Sequence, residues 1–289
     1  MFEPFEFEFM VRAMVAATLV GALTGAVGVF VVLRRLSYIG HGLAHSIFGG
    51  AVVSFVAGFN FYIGATIWGV LSALLINTAA QRRQIGGDAA VGIITTSAFA
   101  IGVLLISLKR SFTLDFDAAL FGEPLGITNG DVWVIVGVTA MVAVMFFIWW
   151  KQLLFITFDR DVAGAYGVSV QWVEAMFALV LAATVIASLQ VLGVTLIAAA
   201  LVIPPVTARL LTDSFPRMFA ISIALGAASG FFGIYVSWFA DVSSGATVVL
   251  TQAGLFALAL SYATGQQRWR RHGVRRTERL AGLERSVFD

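Results

Sequence analysis

Cysteine is absent from the 289 residues. That excludes disulfides, thiolate metal sites and cysteine-ligated iron–sulfur clusters. Lysine occurs only at Lys109 and Lys151. Neither stands in a G-x-x-x-x-G-K-[ST] loop, so the chain cannot hold a nucleotide by a P-loop. No H-E-x-x-H run is present, and a zincin-type protease is excluded with it. Charged residues make up 12% of the chain, against about 25% in soluble domains. Histidine occurs three times.

What remains is apolar: 60% of residues are hydrophobic and the mean hydropathy is +0.94. A membrane span needs about 20 apolar residues, so the chain has room for roughly eight to ten and no domain-sized soluble segment. The expected fold is an all-α polytopic membrane protein. The first ten residues are acidic and aromatic without a basic start, so no cleavable signal peptide is expected.

About nine spans are read, eight being possible: 12–33, 41–58, 61–80, 89–108, 132–150, 173–189, 191–211, 217–238 and 246–264. Arg34, Arg35, Arg82, Arg83, Lys151, Arg160, Arg209 and Arg217 then fall on one side. So do the seven arginines after Gln266. The positive-inside rule makes that side cytoplasmic, with the N-terminus outside and the C-terminus inside. Residues 1–265 form the transmembrane domain and 266–289 a basic cytoplasmic tail. His272, among the arginines of that tail, is a solvated side chain. Residues 109–131 read as an acidic outer loop. Residues 151–172 read as a cytoplasmic stretch that suits a short helix along the membrane surface.

The most informative feature is His41-Gly42-Leu43-Ala44-His45 inside the second span. A spacing of four puts both imidazoles on one helix face. Imidazole suits late first-row divalent metals, and ionisable groups at membrane depth mark substrate paths. The pair therefore points to a metal or proton path, although histidines can also serve as polar glue between helices. Neutral imidazole is the ligand, so uptake should weaken in acid. Ser46 adjoins His45, but sequence neighbours point to different helix faces, so no Ser–His dyad is read.

In the outer loop, Asp115, Asp117 and Glu123 would concentrate cations at the mouth, or they form a solvated acidic loop. Pro204-Pro205 interrupt the seventh span. They either end it or mark a broken helix beside a translocation path.

Four blocks resemble one family: Val32 to His45 (VLRRLSYIGHGLAH), Leu114 to Gly122 (LDFDAALFG), Leu192 to Arg209, and Ser243 to Leu250 (SSGATVVL). They resemble, in order, blocks of the membrane permeases of bacterial ABC importers for zinc, manganese and iron. The resemblance implies a type II ABC-importer-like permease in the bacterial inner membrane, without enzymatic activity of its own and with no permanently bound cofactor. It implies a second permease copy, cytoplasmic ATP-binding subunits that carry the ATP, and an external metal-binding protein; no nucleic acid is involved. Residues 159–172 would be the coupling helix, with Asp159, Asp161, Ala163, Gly164, Tyr166 and Gly167 toward the ATPase. His45 matches the family's histidine and Asp115 its loop carboxylate. His41 stands where the family carries aspartate. Imidazole in place of carboxylate makes the site softer, so zinc is the expected ion, with manganese or ferrous iron as the alternative. From other classes, a membrane-embedded zinc enzyme or a structural scaffold would also accommodate the histidines.

Overall fold

The computed structural model describes residues 3–58, 60–80, 87–108 and 120–288, with side chains as far as Gln266 in the last stretch. Among these residues every regular element is helical. A 3-10 turn (Glu3–Glu6) precedes α1 (Glu8–Leu33), α2 (Ser37–Ala57), α3 (Phe61–Ala80) and α4 (Gly87–Leu108). A second 3-10 turn (Pro124–Gly126) leads into α5 (Asn129–Phe158), α6 (Arg160–Ala165), α7 (Val170–Leu211), α8 (Phe215–Ala240) and α9 (Ser244–Phe288). In lipid a backbone must satisfy its own hydrogen bonds, and a helix does so within one segment. Among the described residues five helices are long and apolar enough to cross a membrane: α1, α5, α7, α8 and the Ser244–Gln266 part of α9. Tyr62–Ile76 and Ala89–Leu105 are shorter apolar stretches of α3 and α4.

The 42 residues of α7 are not one straight rod. Gly193, at φ +68° and ψ 165°, is its non-helical residue. On one side of it, the Phe177 ring packs edge-on against Phe30 with centroids 6.1 Å apart. On the other side, the Leu201 carbonyl lies against Gly28. Residues 177 and 201 would be about 36 Å apart on a straight helix (24 × 1.5 Å), yet both touch one turn of α1. The helix therefore folds back at Gly193. Only glycine adopts that φ without strain. Its neighbour in space is Gly122, at φ +78°. A Cβ on Gly193 would overlap the backbone of Leu120 and Gly122. Thr195 Oγ1 donates to the Leu120 carbonyl at 2.7 Å, and Glu123 N–H donates to the Gln190 carbonyl at 3.0 Å. These bonds dock segment 120–123 over the turn.

The expected break at Pro204-Pro205 is therefore misplaced. Both prolines sit in helical backbone, and the interruption is at Gly193. Proline frees the carbonyl four residues earlier. For Pro205 that is the Leu201 carbonyl, which lies against Gly28. A second departure concerns residues 151–158, read with 159–172 as one cytoplasmic stretch suited to a short surface helix. α5 continues to Phe158 through a local distortion at Trp149 (φ −105°, ψ 16°). Leu153 and Ile156 in this extension are buried, which holds it against the body.

α1 packs on α5, α7 and α8; α2 packs on α3, α4 and α7; α9 packs on α7 and α8. α7 is thus shared by two groups of helices. The α1–α8 seam is built from small residues. Added Cβ atoms on Gly21 and Gly226 would each overlap the other's carbonyl oxygen, and one on Gly230 would overlap that of Ala17. Ser222 Oγ donates across the seam to the Gly25 carbonyl at 2.7 Å. Such residues let backbones meet, which is the main source of helix association in lipid.

Candidate metal site

α2 begins after a tight turn in which Arg35 takes φ +57°. His41 and His45 follow, one helical turn apart, with ring centroids at 4.7 Å and planes at 81°. His41 is exposed and His45 half-buried. They line a cavity of about 290 Å³ with Tyr38, Gly42, Thr95, Thr96 and Phe99. The Phe99 ring stands edge-on to His45 at 5.4 Å.

The cavity has a packing origin. At Gly49, α2 meets α4 backbone to backbone: a Cβ there would overlap the Ala98 carbonyl, and Gly102 lies against the Gly49 Cα. At Gly42, two turns nearer the N-terminus of α2, the neighbours are instead the side chains of Val91 and Thr95, 2.5 and 2.7 Å from a built Cβ. The helices diverge toward the histidines, and the opening is the space they leave. The Thr95 hydroxyl is used locally, donating to the Val91 carbonyl at 2.8 Å.

Among the described residues, no three histidine or acidic side chains converge as a metal cluster. The donor set visible here is two imidazoles. Two ligands suffice to hold an ion in passing but fall short of the four protein ligands of a closed zinc site. Asp115 and Asp117 lie outside the described residues. Glu123 is exposed on the segment docked over the α7 turn and does not line the histidine cavity. Ser46 turns away from the imidazoles, its hydroxyl 2.6 Å from Ser72 Oγ on α3.

The expected coupling segment is one short helix and a turn rather than a single helix over 159–172. Asp159 caps α6, its Oδ1 accepting from Val162 N–H at 3.0 Å. Gly167 closes it at φ +82°. Ala163 is fully buried and anchors the segment, while Asp159, Asp161, Gly164, Tyr166 and Gly167 are exposed.

Two polar groups were not singled out from sequence. One joins α3 to α5. Tyr62 donates to Asp131 Oδ1 at 2.5 Å, and Asp131 also forms a reciprocal capping box with Thr128. Oriented with its nitrogen toward this pair, the Gln190 amide donates to Asp131 Oδ1 at 3.2 Å. The other lies where α1, α6 and α7 meet. Glu174 binds Arg160 through both carboxylate oxygens, at 2.8 and 3.1 Å, and Arg34 at 3.3 Å. Arg34 also rests on the Phe177 ring, 4.9 Å from its centroid. Burial holds the Arg34 pKa below its ordinary value, and the Glu174 charge works against that shift. The available signal was Glu174 itself, the single charge in Val170–Leu192.

The family model described as "ABC 3 transport family" matches residues 6–263. The chain is 36% identical over 260 residues to the "Manganese transport system membrane protein MntC" of Halalkalibacterium halodurans, covering 90% of this chain and 89% of that one. It is 32% identical over 283 residues to the "Chelated iron transport system membrane protein YfeC" of Yersinia pestis, covering 98% and 94%. Among solved structures it resembles "PsaBC from Streptococcus pneumoniae in complex with Fab", with a TM-score of 0.80, 33% identity and coverage of 88% and 91%.

Proposed function

The chain belongs to the ABC 3 transport family, and on that premise we propose that it is the permease subunit of an ATP-driven importer for a divalent transition metal. It spans the bacterial inner membrane nine times. The fold-back at Gly193 supports this count, because it divides α7 into two spans. The N-terminus is outside and the basic tail inside. Two copies pair, each served by a cytoplasmic ATP-binding subunit, and an external protein delivers the ion.

The observation that carries the reading is the histidine pair: two imidazoles of one turn facing a single cavity between α2 and α4. Asp115, Asp117 and Glu123 raise the local cation concentration at the outer mouth. The ion passes to His41 and His45, whose incomplete donor set keeps it exchangeable. The exposed face of α6, carrying Asp159, Asp161, Gly164, Tyr166 and Gly167, docks on the ATPase, whose cycle alternates the access of the site. Among the described residues no carboxylate lines the histidine cavity to serve as general base for a zinc enzyme.

The ion is manganese or ferrous iron, a reading supported by the words manganese and iron in the names of the relatives. Zinc is the second reading, favoured by imidazole at position 41 because softer nitrogen donors suit it better than they suit manganese. The test is metal-stimulated ATP hydrolysis by the complex reconstituted in proteoliposomes. Stimulation by manganese or iron above zinc supports the first reading. Zinc above both supports the second. No stimulation by any of the three rejects the importer.

A further inference from the structure

Resting on the importer reading, we propose that Glu174 is the positioning residue through which movement of the ATPase-docking segment reaches the histidine helix. Its carboxylate is the common partner of two arginines from different parts of that route. Arg160 is the first residue of α6 and binds it through both oxygens. Arg34 belongs to the short turn between α1 and α2, seven residues before His41, and binds it at 3.3 Å. The side chains of Arg34 and Glu174 are each only 10% exposed, whereas that of Arg160 is 56% exposed. The tie is therefore shielded from salt and water on the Arg34 side, and exposed where an ATPase would push.

The packing around the tie leaves the histidine helix able to respond. α1 and α2 scarcely touch beyond their turn. Between α2, α3 and the start of α7 lies a cavity of about 170 Å³, lined by Leu36, Ile39, Leu43, Ala73, Ile76 and Leu181 among others. A close-packed interface would resist displacement of α2, and this one has room. Nη1 of Arg34 is buried without a hydrogen-bond partner, so Glu174 is the only carboxylate that fixes this guanidinium among the described residues. Without it, two guanidinium groups would share the site with no counter-charge, and Arg34 would no longer follow Arg160.

The test uses the full complex in proteoliposomes, reading ATP hydrolysis together with uptake of ⁵⁴Mn²⁺, ⁵⁵Fe²⁺ and ⁶⁵Zn²⁺. A wild-type complex that moves none of the candidate metals would overturn the importer reading itself. In a wild-type complex that does move metal, Glu174→Gln should still assemble and hydrolyse ATP. Its metal moved per ATP should fall about tenfold or more, the scale set by losing a charge-assisted hydrogen bond. Glu174→Asp should recover part of that ratio. A purely structural residue would lower assembly, hydrolysis and uptake together, and that outcome overturns the proposal. Arg160→Gln removes the exposed partner without opening the buried side. It should uncouple in the same way, and a wild-type ratio in a well-assembled Arg160→Gln complex would refute the inference whatever Glu174→Gln does.

Discussion

The α1–α8 seam and the α2–α4 contact are both built on glycine, and they end differently. Along the seam, Gly21, Gly226 and Gly230 keep backbone against backbone, with Ser222 bonding across at Gly25. Between α2 and α4 the same closeness holds at Gly49 and is lost by Gly42, where side chains intervene. The first contact stays closed from Ala17 and Gly230 to Gly25 and Ser222. The second closes at one end and opens at the other, and the histidines stand at the open end. Close packing in lipid fixes the α1–α8 pair, while divergence leaves the cavity that both imidazoles face, which is the room the proposed ion would need.

The comparison can be broken most severely at the seam. Gly226→Leu forces a side chain into the Gly21 carbonyl, and neither backbone can yield. A loss above about 3 kcal/mol is expected, seen as failure to recover folded protein in detergent. His45→Ala should do the reverse. The melting temperature of the purified permease should hold, while initial metal uptake by the complex falls by roughly 100-fold or more, at or beyond the effect of disturbing a ligand's supporting contacts. If Gly226→Leu transports normally, or His45→Ala melts early, the division between scaffold and site is wrong.

The pH dependence of metal binding sharpens the role of the open end. Protons compete with the ion for neutral imidazole, so affinity is retained where both imidazoles are neutral and lost as acid protonates them. Where acid has protonated both imidazoles, binding must displace two protons. In that range affinity should drop up to about 100-fold per pH unit. His41→Asp replaces one with a carboxylate, which protonates only in stronger acid than imidazole does, and the slope should halve on a logarithmic scale, to about tenfold per unit. Titration calorimetry at a series of pH values measures both slopes. The smallest effect is expected from Gly42→Ala. Its methyl would meet the ends of Val91 and Thr95 rather than backbone, so a cost of about 1 kcal/mol in thermal stability is expected, well below that of the seam variant.

Much of this was legible in the sequence because lipid simplifies the rules. Apolar runs had to be helices, and the spacing of His41 and His45 had to place them on one face. What escaped depended on tertiary context. Pro204-Pro205 carried the visible signal for a broken helix, yet the helix tolerates them. The true interruption, Gly193, is one glycine among 29, distinguished only by the loop docked over it. Residues 151–158 open with Lys151 and Gln152 and read as part of a surface stretch, but buried Leu153 and Ile156 hold them in the helix. Glu174 was readable as the lone charge of its segment. Its partners, Arg34 and Arg160, lie 140 and 14 residues away, and no local pattern joins them.

The central claim is that His41 and His45 hold the same transported ion, and a double-mutant cycle on initial metal uptake tests it most directly. His41→Ala, His45→Ala and the double variant are compared with the wild type in the reconstituted complex, each at equal assembled amount. If the two imidazoles act as one site, each single variant loses nearly all uptake and the double loses little more, a large non-additivity. Small losses that simply add, or wild-type uptake in the double variant, would contradict the account.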